Sequence, residues 1–173
     1  MILSKNETFF VGFLCLLGWA SSLYGETRVG LLIQIRDNAK QTLLTQNQSV
    51  GCEPFGIIPL EKMVQNGFNP QECQKEIALF HQSNPHLKAY AKEQLSLQMT
   101  YHYEMIPQGC ILYANGPESY SEMLLKEGLA IRDRQFSDNE WNGRLKKAEE
   151  GAVRAKKGLH ATLIQELCIK EEK

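Results

Sequence analysis

Cys52, Cys73, Cys110 and Cys168 are the side chains with the most direct chemistry open to them; a fifth cysteine, Cys15, lies inside an apolar N-terminal run. Thiolates hold zinc when they come as C-x-x-C pairs or with histidines at short spacing. No two of these stand in such a pair, and none has a histidine at ligand spacing. An even set beyond residue 25 points instead to two disulfides, with three pairings left open. His81, His86, His102 and His160 share no metal-ligand spacing either, so packing or surface roles are expected of them, and no metal. Tyr101, Tyr103, Tyr113 and Tyr120 could stack on bases, as aromatic platforms do in single-strand binders, but such tyrosines are more often barrel core and rim. Arg144, Lys146, Lys147, Arg154, Lys156 and Lys157 are interleaved with Glu149 and Glu150. That is the pattern of a solvated helix face with i,i+4 pairs. The formal net charge of −1 gives no sign of the basic excess that phosphate-backbone binding calls for.

The elements that must position these residues are short. Val29 to Ile35 is apolar and β-branched enough for a strand, and Arg36-Asp37-Asn38 supplies turn chemistry after it. A second strand is expected over 42–45 and a third over 50–58, with Pro54 marking an edge or a bulge. Residues 59–85 are punctuated by Gly67, Asn69-Pro70 and Asn84-Pro85, around a helical pattern at 71–80. Pro85 suits the first turn of a helix through Leu87, Ala91 and Leu95. Over 97–103 the period becomes two, with Leu97, Met99, Tyr101 and Tyr103 on one side. Pro107-Gln108-Gly109 turns the chain into a returning strand at 110–114. A short helix follows at 121–128, and Asp138 caps a longer one carrying Leu145, Ala148, Ala152 and Ala155 on one face, which Gly158 ends. Five strands with helices after the third and fifth predict an α+β fold, a five-stranded OB-type barrel with about three packed helices.

The N-terminus has its own pattern. A short polar head with Lys5 precedes FFVGFLCLLGWA (Phe9 to Ala20), and small, turn-forming residues follow. This is the pattern of a secretory signal peptide, shorter than the ~20 residues that span a bilayer. Residues 1–25 are expected to be removed, leaving 26–173 as one domain without a transmembrane span. Export to a periplasmic or extracellular compartment agrees with the disulfides.

Two blocks of the C-terminal half carry a family likeness. LYANGPESYSEMLLKEGLA (Leu112 to Ala130) resembles the strand, Asn/Asp-Gly turn and N-E-x-L-V-x-x-G-L-A helix of the thermonuclease (staphylococcal nuclease-like) family. LKKAEEGAVRAKKGLH (Leu145 to His160) is similar to its final helix, with His160 where tryptophan is usual. The resemblance implies an OB-type barrel with three helices and a calcium-dependent phosphodiester cleavage. Hard cations need anionic oxygen ligands, and the transition state needs fixed cationic donors.

Carried over residue by residue, the family's site is largely gone. Its first aspartate falls on Asp37 and its water-positioning glutamate on Glu61. A metal-binding aspartate falls on Ala39 and another on Ile58, while the two arginines fall on Glu53 and Pro107. Calcium is therefore not expected, nor is nuclease activity, because loss of one transition-state donor alone costs about 10²–10³ in rate. In the barrel that the resemblance implies, Cys52 and Cys110 lie on neighbouring strands. This suggests the pairing Cys52–Cys110 with Cys73–Cys168.

Function is then expected to lie in binding: a non-catalytic protein that engages another protein of the cell envelope, as an accessory or structural part of a larger assembly. A residual nuclease and a non-cleaving nucleic-acid binder are the alternatives, and a cleft holding Asp37, Glu53 and Glu61 argues against both by repelling phosphate. Residues 63–85 are longer than the family's connection, and Phe68 and Phe80 there are the candidate partner contacts.

Overall fold

The computed structural model describes residues 26–46, 48–66 and 69–169. β1 (Arg28–Asp37), β2 (Lys40–Leu44) and β3 (Ser49–Cys52) form the expected antiparallel meander. Register slips within β1, between Leu32 and Gln34 and again between Ile35 and Asp37, bend it. β1 also pairs with β5 (Thr100–Ile106), and β5 with β6 (Gly109–Asn115), across the predicted turn. With β7 (Glu118–Ser119) the sheet has six strands in the order β3-β2-β1-β5-β6-β7.

The fold is thus α+β, but the expectation of five strands and about three helices needs correction. The strand ladder does not close on itself. Its flanks, β3 and β6, meet at a single parallel bridge, Pro54 to Cys110, and at the Cys52–Cys110 disulfide. Pro54 has no N–H to extend the pairing. It also ends the run expected over 50–58: Gly56 turns the chain at φ +64°. The rest becomes β4 (Ile57–Pro59), which pairs with β8 (Ala130–Arg132) in a separate two-stranded sheet.

Seven α-helices are described. α1 (Leu60–Asn66) follows β4, and α2 (Pro70–Ser83) starts at the Asn69 cap with Pro70 in its first turn. Cys73, Ile77 and Phe80 line the inner face of α2. The helix expected from Pro85 is broken into α3 (Pro85–Lys88) and α4 (Tyr90–Gln94). The break has a side-chain cause. The buried Asn38 amide donates to the Leu87 carbonyl at 3.0 Å and accepts from the Ala91 N–H at 2.8 Å, taking both halves of the bond that an unbroken helix would make. Beyond it, Leu97 and Met99 are more than half exposed, and Gln98 turns the chain at φ 65° before β5 begins.

α5 (Tyr120–Lys126) opens on a capping box between Ser119 and Glu122. α6 (Asn139–Arg154) is capped by Asp138 and turns Trp141, Leu145, Ala148 and Ala152 inward. A 3-10 turn (Gly158–Ala161) and α7 (Ile164–Cys168) complete the chain, and the Cys73–Cys168 disulfide pins α7 to α2. One apolar cluster runs from Leu32 through Phe55, Leu124 and Leu145 to Ile164. Among the described residues no helix is long and apolar enough to cross a membrane.

Candidate functional site

The β1–β2 turn folds onto itself. Asp37 Oδ1 accepts the Ala39 N–H at 2.8 Å, and Gln41 Nε2 donates to the carbonyls of Asp37 (3.0 Å) and Asn38 (3.3 Å). Ala39 is 3% exposed, so a covered methyl group occupies this position of the turn. Asp37 is a structural turn residue by its contacts, as turn aspartates commonly are.

Glu61, in the first turn of α1, points inward. Its Oε2 is fully buried without a hydrogen-bond partner, as are Gln41 Oε1 and the Tyr120 hydroxyl oxygen. Burial pushes the Glu61 carboxyl above its ordinary range, and the Asp37 charge adds to that shift. The Tyr120 phenol is driven well above its usual value by burial first and then by Glu61. Asp37 and Glu61 thus lie near one another, Asp37 part-buried in its turn and Glu61 turned into the fold.

The remaining positions meet on the surface. Glu53, Ile58 and Pro107 line one cleft of about 640 Å³ with Lys40, Lys62, Ile57, Met105 and Ile106. Gly109 closes its floor: at φ +140° it lets the β5–β6 turn approach so closely that a Cβ there would stand 2.8 Å from the Glu53 carbonyl. The Cys110 N–H donates to that carbonyl at 2.8 Å.

Charge in the cleft is self-contained. Glu53 receives Lys62 Nζ at 2.5 Å and Lys40 Nζ at 3.3 Å. The Lys62 hydrogen bond holds the Glu53 carboxyl below its ordinary value, against some burial and with Lys40 adding to the effect. Among the described residues, Lys40 and Lys62 are the cations lining the cleft, and Glu53 and Asp133 its anions. The uncompensated negative charge expected of Glu53 is corrected by Lys40 on β2 and Lys62 on α1, which both reach its carboxylate. Both lysines are engaged by Glu53, and Ile58, Ile106 and Pro107 supply apolar surface beside them.

The other candidates are dispersed. Phe80 is 6% exposed and packed in the core, so its side chain is not part of a partner surface; Phe68 lies outside the described residues. The expected irregular segment at 63–85 is mostly helix, with Leu79 as its exposed large apolar side chain. The four tyrosines form no platform. Tyr103 and Tyr120 are in the core, Tyr113 donates to Glu104 at 2.8 Å, and Tyr101 accepts the Ser96 N–H at 2.8 Å. His160 has both ring nitrogens buried and unpartnered, and burial lowers its pKa. Among the described residues no three of His, Cys, Asp and Glu gather as metal ligands. The cysteines pair as Cys52–Cys110 and Cys73–Cys168.

Sequence reasoning missed Asn38, Gln41, Lys40 and Lys62. Only Lys62 left a trace, standing beside Glu61 at a helix start. The chain matches no known family profile and no curated protein.

Proposed function

We propose that this chain is an exported, non-catalytic binding domain of the thermonuclease type that engages another protein of the cell envelope through its cleft. The observation that carries the reading is the double claim of Glu53 on Lys40 and Lys62 in a cleft that Ile57, Ile58, Met105, Ile106 and Pro107 line together with Gln108 and Asp133. Apolar side chains of this kind form the centres of protein interfaces, and Glu53 already counters the charge of the two lysines that phosphate would need. The OB-type barrel is supported by the bridge and disulfide that link β3 to β6. A periplasmic or secreted location is supported by two disulfides behind an apolar N-terminal run. Calcium has no part in this reading.

Two experiments test it. Purified protein with plasmid DNA or RNA in calcium is expected to leave the substrate intact. Cleavage that needs calcium and disappears in Glu61→Ala would overturn the non-catalytic assignment. For the partner, a photoreactive amino acid at Met105 is expected to give one discrete adduct in living cells. Substituted at Lys147, an exposed position of α6 that does not line the cleft, it should not. Identical adducts from both positions, or none from Met105, would defeat the binding assignment.

A further inference from the structure

A second concavity lies away from this cleft, where α2 packs on the end of α1 and the start of α3. Its volume is about 570 Å³. Val64, Ile77, Ala78 and Pro85 supply apolar walls, and His81 and Lys88 stand among its lining residues. The Lys88 ammonium makes no ion pair among the described residues. His81 Nδ1 is buried and has no hydrogen-bond partner, and burial followed by the charge of Lys88 keeps the imidazole neutral more readily than usual. A buried ring nitrogen without a partner is an exception among folded proteins. Beside it stands a cation with no anion among the described residues, and the lining around both is apolar apart from Gln74 and Gln82. The pocket's unmet needs are one negative oxygen pair and a hydrocarbon body.

We infer that this pocket is a binding site for an aliphatic monocarboxylate, its carboxylate held by Lys88 and His81 and its chain laid over Val64, Ile77, Ala78 and Pro85. An ammonium and an imidazole are suitable donors for a carboxylate, since charge-assisted hydrogen bonds are the stronger kind. Pockets of this size with apolar walls and a few convergent polar groups are the usual form of small-molecule sites. The inference is independent of the cleft and of any protein partner there.

The test uses protein recovered after expression of the full chain, with both disulfides formed, titrated with decanoate and followed by amide and methyl NMR. Saturable shifts are expected at Val64, Ile77, Ala78 and Lys88. Decanol, which matches the chain length without the charge, should bind about tenfold or more weaker, and Lys88→Ala should weaken decanoate to a similar degree. Lys88 is exposed, so that variant leaves the fold unthreatened. Ala78→Trp, which fills the pocket, should abolish the shifts. Equal binding of decanol and decanoate, unchanged affinity in Lys88→Ala, or shifts centred elsewhere would overturn the assignment. Binding seen only after Phe68→Ala would overturn it too, by showing the pocket to be the seat of a side chain of this same protein.

Discussion

Glu122 and Glu53 each neutralise basic side chains, but in opposite settings. Glu122 on α5 is 8% exposed and takes Arg144 through both oxygens, at 3.0 and 2.7 Å. It also accepts the N–H and hydroxyl of Ser119, each at 2.9 Å, while Arg144 lies 4.2 Å over the Trp141 ring. Four hydrogen bonds reach that carboxylate, three of them at Oε2, and the network joins α5 to α6. Glu53 is 40% exposed and holds two flexible lysines at the rim of a cleft. The first arrangement is a structural joint and the second a local cancellation of charge, worth little to the fold. The difference teaches where side-chain chemistry holds the fold and where it does not. The C-terminal half contains the α5–α6 joint and the Gly128–Gly158 contact, where a Cβ on Gly128 would come within 2.2 Å of the Lys157 carbonyl; the cleft rim has only the two exposed lysine pairs of Glu53.

The comparison can be broken at its strongest point first. Removing the Cys52–Cys110 bridge by Cys52→Ala with Cys110→Ala should lower stability by about 2–4 kcal/mol, read from urea unfolding under oxidising conditions. Because that bridge joins the two sides of the cleft, the Met105 crosslink should fade in the same variant. Removing Cys73–Cys168 should cost a similar amount and leave the crosslink in place. A crosslink indifferent to both would separate the cleft from the flank closure.

Glu122→Ala should follow at about 2–3 kcal/mol, since it strands Arg144 and the two Ser119 donors. A loss below about 0.5 kcal/mol, the ordinary scatter of surface changes, would remove the distinction between joint and rim.

Glu61 gives a pH-dependent test. Its carboxyl binds its proton more tightly in the folded chain than in the unfolded one. The stability this contributes is therefore fully present below the ordinary value of 4.5 and lost as pH rises through the higher folded value. Glu61→Gln cannot ionise and escapes that loss. It should be more stable than the native protein at pH 7, with the advantage shrinking towards pH 4. Equal differences in urea midpoint at the two pH values would show that Glu61 is not a buried acid.

The smallest effect on the fold is expected at Glu53. Glu53→Gln should change stability by less than about 1 kcal/mol, yet it frees Lys40 and Lys62 together. Pyrophosphate binding, undetectable by calorimetry in the native protein, should become measurable in this variant. If it stays undetectable, charge cancellation by Glu53 is not what closes the cleft to phosphate.

Much of the C-terminal half could be read directly. Ser119 with Glu122 three residues on, Asp138 before an apolar periodicity, and glycines after two helices are signals completed by near neighbours. α2 was readable for the same reason, through Asn69-Pro70. The third strand was misjudged because Pro54 and Gly56 interrupt a run whose apolar content continues beyond them. Lys40 escaped notice because nothing local distinguishes a lysine that will meet a glutamate across a strand pair.

The sequence by itself therefore determined most of the local elements and the even set of cysteines beyond residue 25. Tertiary structure alone decided three matters. It chose among the cysteine pairings, by setting β3 beside β6 across a separation of 58 residues. It cut one helix into α3 and α4 through Asn38, whose partners lie 49 and 53 residues further on. And it sent Asp37 and Glu61 inward while leaving Glu53 between two lysines. In each case the deciding contact joins groups distant in the chain, and hydrogen bonds and ion pairs depend on separation in space, which a linear pattern does not contain.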